Sequence, residues 1–466
     1  MRTALMRQLA GAGAVALLAV AGVATRDVPA GPWVVVVSLD TVRADVLGAY
    51  GGRATTPHLD ALAARSARFD AHFAAAPTTL ASHASLFTGT HPHTHGVPRN
   101  GFVVSGEART LAEILGGAGW RTAGFAASAP LAAKTGISQG FDVWAEPEGP
   151  ARPGADVVDD ALGWVDAEDP GDGTPRLLFV HLYDAHAPYR APAGYLERLG
   201  SLPPSTAGEP GSLVHIGAVR RLAAARDPAL DAEGRALRHR YAAGVGFLDH
   251  QVGRLLGGLQ RRGILDRALL AVTADHGEAY DEHGEIWGHG YTVFDETTRI
   301  PLIIAGPGVG TGEVDRLGSN IDVLPTILDL VGVPIPDGVE GTSFAPTLRG
   351  ADQPRRTVVF SEATKPYDDP AAGWVNAPRR KSARTSTLRL VWDPATDERN
   401  LYRSDADPSE LVDRWTSDRD RPEVRALDLG LAAWAADPRP LATVPLDDAA
   451  TREALEALGY VDGAAP

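Results

Sequence analysis

Three apolar runs without polar alternation punctuate the chain, and each ends on residues able to do chemistry. The first, Trp33-Val34-Val35-Val36-Val37-Ser38-Leu39, is rich in β-branched residues and predicts a strand covered on both faces of a parallel sheet. Residues 177–183 and 268–274 repeat the pattern. The three runs lead into Asp40-Thr41, Asp184-Ala185-His186 and Asp275-His276-Gly277-Glu278. Residues 122–127 and 299–305 predict two further strands. Helical spacing covers residues 59–69, 111–118, 155–165, 320–330 and 447–458. It also covers 241–261, where Val245, Leu248, Val252, Leu255 and Leu256 share one face. Residues 199–233 are rich in Pro, Gly and Ala and predict an irregular insertion or lid. From about residue 351 the texture shifts to short strands and turns, which divides the chain into segments 30–350 and 351–466.

Composition narrows the class. A chain of 466 residues with 44% hydrophobic content supports one large α/β domain and a smaller partner. The formal charge of −15, with no basic stripe, excludes nucleic acid as the expected partner. There is no cysteine, so disulfides, thiolate metal sites, a lipoprotein anchor and a cysteine nucleophile are all excluded. Arg2 and Arg7 precede an apolar segment over 9–23, and Ala19, Ala21 and Ala24 offer cleavage sites. This predicts a secretory signal over 1–24, the alternative being an uncleaved anchor, although the run is short for a span. The expected location is therefore extracytoplasmic, periplasmic or secreted, with membrane contact through the N-terminal segment alone.

The candidate chemistry centres on Pro77-Thr78-Thr79-Leu80-Ala81-Ser82-His83, where small hydroxylated residues run into an apolar helix. Such a helix start offers unpaired N–H groups and partial positive charge to an anion. A hydroxyl there is either a helix cap or a nucleophile awaiting activation. Asp40 alone is equally open to a capping reading. Strand-end acids converge at one sheet edge in open α/β folds, however, and three such ends imply one polar site. Asp40, Asp275 and His276 form a donor set suited to one divalent ion, Zn²⁺ or Mn²⁺ ahead of Ca²⁺ or Mg²⁺, with the Thr79 oxygen completing it. His186 and His289 are candidates for orienting an anion or protonating a leaving oxygen. His83, His95 and Asn100 are candidates for holding the anion.

Asp40-Thr41-x-Arg43-x-Asp45-x-x-Gly48-x-Tyr50-Gly51 resembles the first metal motif of the sulfatase family, in the alkaline phosphatase superfamily. Thr79-x-x-Ser82-x-x-x-Leu86-x-Thr88-Gly89 is similar to the family's signature around its formylglycine. Asp275-His276-Gly277-Glu278, Asn320-Ile321-Asp322-x-x-Pro325-Thr326 and Leu401-Tyr402-x-x-x-x-Asp407-Pro408-x-Glu410 match later landmarks in order. The resemblance implies an alkaline-phosphatase-like α/β fold, a mostly parallel sheet sandwiched by helices, with a smaller C-terminal α+β subdomain. It implies an exported, metal-dependent hydrolase of small-molecule, glycan-linked or lipid-linked sulfate or phosphate esters. Thr41 stands where the family has a second metal-binding aspartate. Thr79 stands where formylglycine is made from Cys or Ser, so no formylglycine is expected. His83 replaces the signature arginine, and Ala127 and Ala129 replace a sulfate-gripping Lys and His. A threonine nucleophile is similar to the superfamily's phosphodiesterases and phosphoethanolamine transferases. The alternatives are accordingly a phosphoryl transferase of the latter type, or a non-catalytic homologue that binds anions or glycans.

Overall fold

The computed structural model describes residues 31–168, 172–200, 230–280, 282–283, 287–364, 380–436, 441–446 and 449–458. The expected signal segment lies outside the described residues, as does most of the expected insertion. Eight strands form the main sheet: β1 Trp33–Leu39, β2 Ala67–Phe69, β3 Arg121–Phe125, β4 Val143–Ala145, β5 Arg176–Leu182, β6 Ala268–Ala274, β7 Leu302–Ala305 and β8 Gly312–Val314. Their spatial order is β8-β2-β7-β6-β1-β5-β3-β4. The run from β6 to β4 is parallel throughout, and β7 alone runs against its neighbours.

Every residue of β1 is buried, as its unalternating sequence predicts. Val35, Val37 and Leu39 enter one core, where helices Gly154–Ala167 and Leu230–Arg261 contribute Val157, Val158, Val245 and Val252. Val34 and Val36 enter the other core, with Leu80 and Ala84 of helix Thr79–Thr88 and Leu324 of helix Val323–Val331. Each fully buried Val of this strand contributes about 1.5–3 kcal/mol. The strand is thereby fixed in register against both neighbours, and Leu39 sits between Leu182 and Ala274. The next residues along, Asp40 and Asp275, leave the sheet side by side.

Two expectations change. Residues 59–69 are not one helix: helix Pro57–Ala63 stops, and Ala67–Phe69 joins the sheet, pairing antiparallel with β7. The Ser66 hydroxyl donates to the Leu62 carbonyl at 2.7 Å, a local bond that competes with continuing the helix. The long helix Leu230–Arg261 begins inside the stretch read as irregular, so the amphipathic pattern extends about three turns earlier than expected. Among the described helices none is long and apolar enough to cross a membrane.

Toward the C-terminus, strands Val359–Ala363, Arg380–Arg384, Leu388–Asp393 and Glu398–Arg403 form a four-stranded antiparallel sheet. Helix Pro422–Ala435 covers it through Val424, Leu427 and Leu431. A buried ion network ties this sheet to the short helix Asp295–Thr298 that precedes β7: Arg389 pairs with Asp295 and, at 2.6 Å, with Glu410.

Candidate active site

Asp40, Asp275 and His276 are fully or almost fully buried, and a ligand atom from each lies within 4.8 Å of the others. Among the described residues, their hydrogen bonds leave one donor atom on each for an ion. Asp275 Oδ1 accepts from the Thr41 and His276 backbone N–H groups, at 3.1 and 2.8 Å, while its Oδ2 accepts none. His276 Nδ1 donates to the Gly277 carbonyl at 2.9 Å, so the lone pair sits on Nε2, which also has no partner. Asp40 Oδ2 accepts from His181 Nε2 at 3.0 Å, and Oδ1 is left over. Burial, followed by the Asp275 and Glu278 carboxylates, pushes Asp40 well above the usual carboxylate range, and the Thr79 hydroxyl beside it only partly offsets this. Three orphaned ligand atoms in uncompensated negative charge fit a divalent cation.

Thr79 is the first residue of its helix and is fully buried, as are the residues of the loop before it. The next amide, Leu80 N–H, donates to Asn100 Oδ1 at 2.7 Å. That bond fixes the Asn100 side chain, whose buried Nδ2 has no partner among the described residues and is left to donate to an incoming oxygen. A row of imidazoles continues from the trio: His276 to His289 at 4.2 Å between ring centres, then His289 to His186 at 5.2 Å. Glu278 orients His289 by accepting from Nδ1 at 3.0 Å, and is itself held by the Tyr189 hydroxyl at 3.0 Å. Gly277 has to be glycine, because a Cβ there would lie 2.1 Å from the Glu296 carbonyl oxygen. Burial, with His289 next, brings His186 down to about 3, so its ring is neutral.

Residues 32–333 match the family model described as Sulfatase. The chain belongs to the sulfatase family. Residues 282–432 also match the model described as N-sulphoglucosamine sulphohydrolase, C-terminal. A curated relative, the ulvan-active sulfatase of Formosa agariphila, is 28% identical over 391 residues, covering 76% of this chain and 72% of that protein. A protein solved with its substrate D-glucosamine-2-N,6-O-disulfate superposes with a TM-score of 0.72 at 21% identity, covering 88% of this chain and 99% of that one. The phosphonate monoester hydrolase of Agrobacterium radiobacter gives 0.71 at 23%, covering 87% and 95%. The two structural likenesses establish the alkaline-phosphatase-like fold. As a sulfatase-family member the chain is an ester hydrolase.

The sulfatase centre brings together Asp40, Thr79, Asn100, Asp275, His276, His186 and His289. Three other expected residues stand differently. The Thr41 hydroxyl is engaged with the backbone, donating to the Asp40 carbonyl at 2.7 Å, and the residue's N–H is held on Asp275. The cause is a left-handed turn, φ 57°, unusual for a β-branched residue and braced by Tyr241, whose hydroxyl donates to the Thr41 carbonyl at 2.7 Å. His83 lies under the site with both ring nitrogens engaged, on the Thr79 carbonyl at 2.7 Å and the Ser38 hydroxyl at 2.8 Å. His95 is likewise tied up, by Ser85 Oγ at 3.0 Å and the Val97 N–H at 3.2 Å. Neither ring offers an atom to an anion.

Sequence reading passed over His181 and the role of Glu278. The available signal was a polar residue one place before the end of each buried strand: Ser38, His181 and Thr273 sit in one register row.

Asp184 makes a separate prediction. Its Oδ1 accepts the Gly154 N–H at 3.2 Å, and a Cβ on Gly154 would meet Oδ2 at 2.0 Å and push the Asp184 carboxylate aside. Burial pushes Asp184 up to about 6, the Gly154 bond opposing. The unfolded chain ionises near pH 4, so the folded state holds the proton longer. That stabilisation is fully present below pH ~4 and is lost as pH rises through about 6. Asp184→Asn should therefore gain on the native protein by about 2–3 kcal/mol between pH 4 and 7, as read by urea unfolding at both values. A difference that does not change with pH would show that Asp184 ionises normally.

Proposed function

We propose that this sulfatase hydrolyses a singly charged ester by attack of the Thr79 hydroxyl, on a small-molecule or glycan substrate. The observation that carries the reading is Thr79 itself, at the start of a buried helix and beside the carboxylate of the Asp40–Asp275–His276 trio. Asp40 Oδ1, Asp275 Oδ2 and His276 Nε2 would hold one divalent ion, Mn²⁺ or Zn²⁺ by donor type. Such an ion, when bound, lowers the pKa of a hydroxyl against it and offsets charge on the substrate.

The chain's own residues account for the rest. The Thr79 hydroxyl sheds its proton to water and its oxygen bonds to sulfur or phosphorus as the bond to the leaving oxygen breaks; a second water then cleaves the Thr79 ester, restoring the hydroxyl and releasing the acid. The helix start and Asn100 Nδ2 donate to the non-bridging oxygens. His289, held by Glu278 through Nδ1, passes a proton to the leaving oxygen, and the neutral His186 ring packs beside it. Formylglycine is not part of this scheme, because the Thr79 β-carbon carries a methyl group and its oxidation would give a ketone, not an aldehyde.

Asn100 and a neutral His186 bring no fixed positive charge to the anion, which suits a monoanion over a dianionic phosphate monoester. Sulfate monoesters, phosphodiesters and phosphonate monoesters share that charge. The test is a panel of 4-nitrophenyl esters of all four kinds, run with Mn²⁺ or Zn²⁺ and after chelation. The expected result is metal-dependent turnover of the monoanionic esters, with phosphate monoester the poorest. Preference for the phosphate monoester, or full activity after chelation, would defeat the proposal.

A further inference from the structure

His181 lies one residue before the end of β5, fully buried and in register with Ser38. The Ala127 N–H points at its Nδ1 from 3.2 Å, and a backbone amide can only donate. Nδ1 therefore carries the lone pair, and the ring proton of the neutral imidazole is on Nε2. That proton is directed at Asp40 Oδ2, 3.0 Å away. His83 packs edge-on against the ring at 5.1 Å and is itself pinned by Thr79 and Ser38, and a flipped His181 ring would turn carbon atoms toward the Ala127 N–H and Asp40 Oδ2. His83, His181 and Asp275 also bring ligand atoms within 4.8 Å of one another. The lone pairs of both rings are already taken, by Ser38 and Ala127, so this second trio does not make a second cation site.

We infer that His181 is a positioning residue that selects the ligating oxygen of Asp40. By donating to Oδ2 it holds the carboxylate in one rotation and leaves Oδ1, which accepts no hydrogen bond, to the ion. The inference rests on the metal reading of the Asp40–Asp275–His276 trio. Without the donor, either oxygen could turn toward the ion and part of the affinity would be lost to that freedom.

Two substitutions separate the halves of the ring. His181→Gln keeps an N–H where Nε2 was; His181→Asn keeps only an acceptor where Nδ1 was. Mn²⁺ affinity of the full chain is measured by calorimetry for native and both variants, alongside the thermal midpoint of each metal-free protein. His181→Asn is expected to bind Mn²⁺ about 10–100-fold more weakly, and His181→Gln within about threefold of native. A merely structural role would instead lower both midpoints and weaken both variants alike, which overturns the inference. Native affinity in His181→Asn overturns it as well. Absence of Mn²⁺ or Zn²⁺ binding by the native chain would bring down the metal reading first, and this inference with it. Ring ¹⁵N shifts of His181 in the histidine-labelled native protein give a test free of folding effects. A protonated Nε2 supports the assignment, and a protonated Nδ1 overturns it even if His181→Asn does not fold.

Discussion

Thr79→Ala is expected to lower turnover by about four or more orders of magnitude while shifting stability by only about 1 kcal/mol. The two effects separate because the side chain is small and is the first residue of its helix. The residue in the N-cap position is Thr78, which makes no side-chain cap bond. Losing a cap would cost about 1 kcal/mol and leave chemistry intact. Losing the attacking oxygen removes the reaction path itself. Thr79→Ser retains the hydroxyl and should keep partial activity. Ser85→Ala is the matched control: it breaks the 3.0 Å contact with His95 and leaves a buried ring nitrogen unpaired. Its cost should appear as about 1–3 kcal/mol of stability, with turnover close to native. Ser82→Ala is a poorer control, since its hydroxyl bridges the Asp275 carbonyl at 2.5 Å and Asn320 Nδ2 at 2.8 Å. Turnover of the four variants on a monoanionic ester, beside their thermal midpoints, decides the matter. Near-native turnover in Thr79→Ala would remove Thr79 from the chemistry.

How much of this was legible in the sequence depends on whether a property is local. Buried strands announce themselves because both faces must be apolar, and their ends mark the sheet edge where Asp40 and Asp275 meet. The hydroxyl-rich run into an apolar helix left a cap and a nucleophile both open, and only the resemblance to the family signature singled out Thr79. Roles set by hydrogen-bond direction were not readable. Thr41 looks like a ligand in its motif, yet a left-handed turn sends its hydroxyl to the backbone. His83 and His95 look like anion binders, yet each has spent both ring nitrogens on neighbours up to 45 residues away in the chain. His181 had the opposite fate. It was hidden inside a strand pattern, and its partner Asp40 is 141 residues distant. The Arg389–Asp295–Glu410 network was invisible for the same reason, since a buried charge shows no pattern until its partners are brought to it.

Asp275→Asn should move the protein's stability in opposite directions with and without metal. In the native trio, Asp275 Oδ1 is committed to two backbone N–H groups and Oδ2 is the atom left for an ion. Asparagine can keep the first arrangement, with its carbonyl oxygen accepting from Thr41 and His276. Its amide nitrogen then occupies the second position, where it donates and cannot ligate. One negative charge also disappears from a site in which Asp275 is the carboxylate that most disfavours ionisation of Asp40. The metal-free variant should consequently be as stable as the native protein or more so. Metal binding should weaken by about 10²–10⁴-fold, corresponding to about 3–5 kcal/mol for removing one partner of a buried charged pair. A titration of thermal midpoint against Mn²⁺ reads both effects, because a ligand stabilises the fold by RT ln(1 + [L]/Kd). The native curve should climb with metal, and the Asp275→Asn curve should start level or higher and stay flat. Thr41→Ala should climb as the native protein does, since the Thr41 contribution is a backbone N–H that alanine retains. A native-like rise in Asp275→Asn would mean the ion is held elsewhere, whereas a flat curve in Thr41→Ala would restore Thr41 to the ligand set.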